Sequence, residues 1–286
     1  MNDATANHDA TTRSGVLYAT HDGVALTGEL YLPQGRAPAP VLIAVHGGGW
    51  QLGSPDVYRH WGPWLAANGF ALFAIRYRLS KPGAKSYPGA VYDVKAAVQF
   101  VRANAGQLGV DPERIALIGD SAGAHLSALV ALAADKFTVE HRGDPHTAAA
   151  AGVKAVIGFY GVYDLLAQWQ HDQLARPRDQ ITEKLLGASP SLSRSLFLDA
   201  SPVNHVTAEM PDKPRFLLIY GTDDEVVEPQ SQSQTFLAAL KQAGYFARTV
   251  IVPGAGHFWA ADPIDEPGSC SAVAAPRIVR FLREAF

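Results

Sequence analysis

Short runs of β-forming residues recur along the whole chain, and several of the later ones are apolar at almost every position. They occupy residues 24–32, 41–45, 70–75, 115–118, 153–159, 216–220 and 249–252. A strand that meets water on one face alternates apolar and polar residues, whereas a strand covered by helices on both faces has no reason to. Between the runs the periodicity is helical. In residues 89–104, Val91, Val94, Val98 and Val101 fall on one stripe, interspersed with Asp93, Lys95 and Gln99. A second helix is predicted to start at Ser121, with Leu126, Leu129 and Val130 available for packing. Phe236, Leu237 and Leu240 suggest another, and Ile278, Phe281, Leu282 and Phe286 a last one. Strands and helices thus alternate as in an α/β fold with a mostly parallel central sheet flanked by helices, preceded by an antiparallel edge hairpin over residues 16–32.

One connection breaks the pattern. The strands at 153–159 and 216–220 are separated by 56 residues, too many for a plain crossover. A small helical lid is expected over 160–214, with Leu165, Leu166 and Trp169 facing inward and Ile181, Leu185 and Leu186 forming a second stripe. The domain reading is therefore a single domain over 15–286, a cap insertion at 160–214 within it, and a flexible N-terminus over 1–14.

Composition narrows the function. The 24 basic and 27 acidic residues leave a formal charge of −3, which gives no electrostatic case for binding nucleic acid or an anionic membrane. Cys270 is the single cysteine, so neither an internal disulfide nor a thiolate-rich zinc site can be built. Residues 1–14 are polar and lack the apolar centre of a secretory signal, and no stretch reaches the roughly 20 apolar residues of a membrane span. A cytoplasmic protein is expected.

Three loops that follow predicted strands carry the chemistry. Gly119-Asp120-Ser121-Ala122-Gly123 lies between the apolar run 115–118 and a helix, the setting of a nucleophile elbow. His46-Gly47-Gly48-Gly49-Trp50 follows the run 41–45. Three consecutive glycines are poor strand material but can turn peptide N–H groups into a concavity suited to an oxyanion. That role falls to Gly48 and Gly49 with the Ala122 N–H, while Gly47 serves the turn and His46 shapes the loop. A serine hydroxyl needs a base and a group to orient that base. His257, in Gly254-Ala255-Gly256-His257-Phe258, and the carboxylates of Asp223 and Asp224 in Gly221-Thr222-Asp223-Asp224 supply them in the chain order Ser, Asp, His. The two aspartates are chemically equivalent at this level.

These motifs, HGGGW, GDSAG, GTDDEVV and GAGHF, resemble those of the α/β-hydrolase superfamily and, more narrowly, of hormone-sensitive-lipase-like carboxylesterases. The resemblance covers residues 16–286. It implies a triad of Ser121, Asp224 and His257, choosing Asp224 over Asp223, and an oxyanion hole of Gly48, Gly49 and Ala122. The continuation SAGAHL, with Ala124 and His125 after Gly123, also resembles feruloyl- or acetylesterase-like enzymes and arylformamidases. The implied activity is hydrolysis of short-chain or aromatic carboxylic esters, with formamide hydrolysis or non-catalytic binding of a small ligand as alternatives. Trp50, Asp120, Tyr160, Trp169 and Trp259 are candidate pocket residues, Tyr163 a further aromatic, and His125 a packed helix residue. No cofactor is required and no metal-ligand series is recognisable. The expected partner is a small-molecule ester; a homodimer is compatible with the sequence, which does not determine oligomeric state.

Overall fold

The computed structural model describes residues 10–35, 38–138 and 144–286. Its main elements are β1 (Thr11–His21), β2 (Val24–Leu32), β3 (Ala39–Val45), α1 (Trp61–Ala67), β4 (Ala71–Ile75), α2 (Gly89–Ala103), α3 (Ala105–Leu108), β5 (Val110–Asp120) and α4 (Ala122–Ala133). They continue with β6 (Ala155–Phe159), α5 (Leu165–Ala175), α6 (Ile181–Leu186), α7 (Arg194–Asp199), β7 (Arg215–Gly221), α8 (Thr235–Gln242), β8 (Ala247–Val252) and α9 (Cys270–Ala285). The strands form one sheet of eight in the order β1-β2-β4-β3-β5-β6-β7-β8. From β4 to β8 all pairings are parallel, while β1 and β2 close one edge antiparallel.

The period of two explains the unbroken apolar runs. Val41, Ile43 and Val45 point into a core shared with Val91, Val94 and Val98 of α2, Leu126 and Leu129 of α4, and Phe236 and Leu240 of α8. Leu42 and Ala44 point into a second core with Trp61 and Leu65 of α1 and Ile278 and Leu282 of α9. Each residue of β3 is therefore buried whichever way it faces.

The edge hairpin differs from expectation at its start. Thr11 to Ser14, expected in a flexible stretch, belong to β1, with Thr11 paired to Leu32 and Arg13 to Leu30; the rest of that stretch, residues 1–9, lies outside the described residues. An outer strand has one partner and wet faces, so polar residues can form it. Asp22 and Gly23, with φ of 51° and 76°, make the two-residue turn that matches the twist of the hairpin.

Between β6 and β7 the chain folds into α5, α6 and α7 above the C-terminal strand ends. Asp164 caps α5 by accepting from the N–H groups of Leu166 and Ala167. Leu165, Leu185 and Leu186 are buried in the first core, with Leu166, Trp169 and Ile181 packed at its margin. Among the described residues no helix is long and apolar enough to cross a membrane.

Candidate active site

β5 ends at Asp120 and α4 begins at Ala122, leaving Ser121 as the whole turn, with φ 50° and ψ −116°. A non-glycine residue in that region is strained and persists only where its surroundings fix it. The Ser121 N–H donates to the Phe159 carbonyl at 2.9 Å. Across the turn, a β-carbon on Gly123 would collide with the Val45 carbonyl, so the glycine permits α4 to approach β3.

His257 follows β8 and Asp224 follows β7. Asp224 Oδ2 lies 2.7 Å from His257 Nδ1, and His257 Nε2 lies 3.0 Å from Ser121 Oγ. With Nδ1–H donating to the carboxylate, Nε2 is left to accept the serine proton. Asp224 Oδ1 is held by the N–H groups of Val226 and Val227, both at 2.9 Å. Asp223 turns away, taking the Thr222 hydroxyl. The structure thus brings Ser121, Asp224 and His257 together and leaves Asp223 outside.

The glycine loop is tied to the elbow from below. The Gly47 N–H and the Tyr58 hydroxyl donate to Asp120 Oδ1 at 2.9 and 3.0 Å. Burial pushes the Asp120 carboxyl up to about 6, against the opposing pull of these two donors and of His257. Gly48 has φ +108° and its carbonyl accepts from the N–H groups of Gln51 and Leu52, folding the loop back on itself. Gly49 faces Ile181 of α6. Gly48 and Gly49 line the cavity with Ser121, and Ala122 opens α4 directly after it.

Two further histidines that the sequence places in or beside the motifs, His46 and His125, are structural in their contacts. His46 is buried, bonded through Nδ1 to the Gly47 carbonyl and stacked on Tyr77, and burial lowers its pKa to about 4. His125 is fully enclosed. Its Nδ1 accepts from Trp50 Nε1 at 3.2 Å, which leaves Nε2–H to donate to the Ala200 carbonyl at 2.8 Å. One neutral tautomer satisfies both bonds, and burial lowers this pKa too, to about 4.

Above Ser121 opens a cavity of about 400 Å³. Of the predicted pocket residues, Trp50, Asp120 and Tyr160 line it, together with Gly48, Gly49, Ser121 and His257. Trp169 and Trp259 do not. The Trp169 indole donates to Glu183 on the neighbouring helix, and Trp259 packs edge-on against Phe159 and Tyr160 in the second core. Tyr163 is likewise buried, stacked on Phe236. The sequence reading missed Leu52, Gln168, Asp172, Arg176 and Phe258 as lining residues, and took Ile181 only for a packing position. Leu52 and Phe258 adjoin the motifs and could have been suspected on that ground; nothing in the sequence marks the α5 residues. Among the described residues no cluster of His, Cys, Asp and Glu could hold a metal ion.

The family match covers residues 29–240. The chain belongs to the BD-FAE family. Its relatives in this setting include esterase LipC of Mycobacterium tuberculosis, 34% identical over 256 residues that cover 86% of this chain and 59% of LipC. The chain spans about half the length of the curated relatives it matches. Among solved structures it is similar to Thermogutta terrifontis esterase 2 phosphonylated by cyclosarin, with 26% identity, a TM-score of 0.74 and coverage of 98% and 94% of the two chains. A truncated carbohydrate esterase from gut microbiota gives 25% identity and a TM-score of 0.78, covering 99% of this chain and 98% of that one. This BD-FAE member has the α/β-hydrolase fold, as the resemblance of its motifs implied and in keeping with the alternation of its strands and helices.

Proposed function

We propose that the chain is a serine carboxylesterase that hydrolyses short-chain or aromatic carboxylic esters through an acyl-enzyme. The observation that carries this reading is the unbroken hydrogen-bonded line from Ser121 Oγ through His257 to Asp224, beside the backbone of Gly48, Gly49 and Ala122. His257 takes the Ser121 proton as Oγ attacks the ester carbonyl, and Asp224 stabilises the resulting imidazolium. The carbonyl oxygen becomes an oxyanion facing the N–H groups of Gly48, Gly49 and Ala122; one such donor is worth roughly 3 kcal/mol in the transition state. As the tetrahedral centre collapses, the C=O re-forms, the bond to the alcohol oxygen breaks, and the His257 proton passes to that oxygen. Water, deprotonated by His257, then attacks the acyl-Ser121 carbonyl; as the acyl–Oγ bond breaks, His257 returns the proton to Ser121 Oγ and the acid leaves.

A cavity of about 400 Å³ lies near the small end of ligand pockets, which supports short or compact substrates. α5 and α6 of the 160–214 insertion form one wall, and we read that segment as a cap on a single domain. The phosphonylated state of the Thermogutta relative and the HGGGW and GDSAG motifs support a covalent mechanism here. The test is a comparison of kcat/KM for p-nitrophenyl acetate, longer p-nitrophenyl esters and N-formylkynurenine. The short ester should dominate. Preference for the formamide would replace the esterase reading with an arylformamidase one, and no turnover of any substrate would end both.

A further inference from the structure

Two large apolar side chains stand exposed at the cavity that holds Ser121. Leu52 is 71% exposed and Phe258 77% exposed, and both line the same cavity as Ser121 and His257. A single exposed apolar residue means little. These two are held in place by the motifs that surround the serine. Leu52 is fixed by its own N–H to the Gly48 carbonyl at 3.0 Å, within the glycine loop. Phe258 directly follows His257, and its ring meets the imidazole edge-on with centroids 4.8 Å apart. Its φ is +61°, a left-handed conformation that a bulky aromatic residue adopts at a cost and that is retained where the surroundings impose it.

We infer that Phe258 and Leu52 form an apolar lip that binds the leaving alcohol of the ester, selecting alcohols with an aromatic or branched hydrocarbon body. This rests on the esterase reading and specifies its substrate. The direction follows from proton transfer. The alcohol oxygen must lie within hydrogen-bond reach of His257 Nε2 when the acyl–oxygen bond breaks and the proton moves to it. The carbon body of that alcohol therefore lies on the His257 side, where Phe258 follows in the chain and its ring abuts the imidazole. Covering the Phe258 and Leu52 side chains removes apolar surface from water, and an aromatic alcohol does so better than a small one. The opposite wall is unlike the lip. Gln168 Nε2 of α5 donates to Asp172 Oδ1 and to the Val226 carbonyl, while the buried Gln168 Oε1 and Asp172 Oδ2 have no hydrogen-bond partner among the described residues, so these two side chains present polar groups rather than an open apolar face.

The experiment uses benzyl acetate and ethyl acetate, which form the same acetyl-enzyme and differ only in the departing alcohol. The benzyl-to-ethyl ratio of kcat/KM is measured for the unaltered protein, Phe258→Ala, Phe258→Leu and Leu52→Ser. The lip predicts a ratio that falls roughly tenfold in Phe258→Ala, the loss of one side chain's apolar contact, falls less in Leu52→Ser and largely recovers in Phe258→Leu. Turnover of both esters with the same ratio in all four proteins overturns the inference and leaves the esterase reading standing. Failure of the unaltered protein to hydrolyse either ester overturns the two together.

Discussion

The two walls of the cavity are built in different ways. The wall that holds Ser121, Gly48 and Gly49 is made of strand-end loops whose backbone is fixed from beneath, by Asp120 to Gly47 and Tyr58 and by His125 to Trp50 and Ala200. The wall made by α5 and α6 is a set of side chains on an inserted segment, Gln168, Asp172, Arg176 and Ile181 among them. A fixed backbone can carry a reaction, because oxyanion donors must be in place before charge develops. Replaceable side chains on an insertion can set what fits. The contrast is between fixed backbone, which would carry the chemistry, and side chains, which would shape the substrate whether they stand on the insertion or, like Leu52 and Phe258, on the loops themselves; substitutions of the two kinds should differ in effect.

The largest effect belongs to the first wall. Ser121→Ala should lower kcat by roughly 10⁴-fold or more while leaving the thermal unfolding midpoint near that of the unaltered protein, because loss of one triad member removes the unit. Residual activity within tenfold would break the comparison at its root. Next comes Asp120→Ala, which strands the Gly47 N–H as a buried donor and leaves the Tyr58 hydroxyl only the Val45 carbonyl, at 3.2 Å. It should cost about 2–4 kcal/mol of stability by denaturant titration and lower kcat roughly a hundredfold with KM little changed. A change in KM alone would show that Asp120 serves binding rather than the placement of the glycine loop.

The support beneath this wall also predicts a pH dependence. His125 and His46 fold as neutral imidazoles with pKa lowered to about 4 from 6.5. Depressed values mean that their contribution is full above pH 6.5 and is lost as pH falls toward 4. At pH 5 the loss is about 2 kcal/mol for each. Asp120 has the opposite sign. Its pKa is raised from 3.8 to about 6, so its contribution is present below 3.8 and lost as pH rises through 6. In His125→Asn, whose amide can accept from Trp50 and donate to Ala200, the stability drop between pH 7 and pH 5 should be smaller than in the unaltered protein by about 2 kcal/mol. Equal slopes would place the titrating group elsewhere.

The smallest effect is expected on the second wall. Ile181→Ala enlarges the cavity opposite Gly49 and should shift KM about threefold with kcat nearly constant, the pattern of uniform binding. A large fall in kcat would mean that α6 braces the glycine loop, and the two walls would no longer be separable.

The same division decides what could be read from the sequence. Five of the seven strand runs reappear in β3 to β7 because burial on both faces leaves a continuous apolar signature; the other two belong to β2, the inner arm of the hairpin, and to the edge strand β8, where Ile251 is half exposed. Polar Thr11 to Ser14 escaped notice because an edge strand is specified by its partner rather than by its own hydrophobicity. The elbow and the glycine loop were legible because close approach and positive φ restrict the residues allowed there: Gly123 against Val45, Gly48 at φ +108°. No comparable restriction acts on the cavity side chains. An aromatic residue suits a pocket and a core equally, so Trp169 and Trp259 were indistinguishable from Trp50 until their partners, Glu183 and Phe159 against His125, were visible.

The proposed mechanism requires that Ser121 Oγ be the atom that is covalently modified. Treatment with a fluorophosphonate probe followed by peptide mass mapping tests this without assuming a substrate. The expected result is one adduct per chain, on the peptide bearing Ser121, absent in Ser121→Ala and formed far more slowly in His257→Ala. An adduct on any other residue, or an unmodified Ser121 in folded protein, would contradict it.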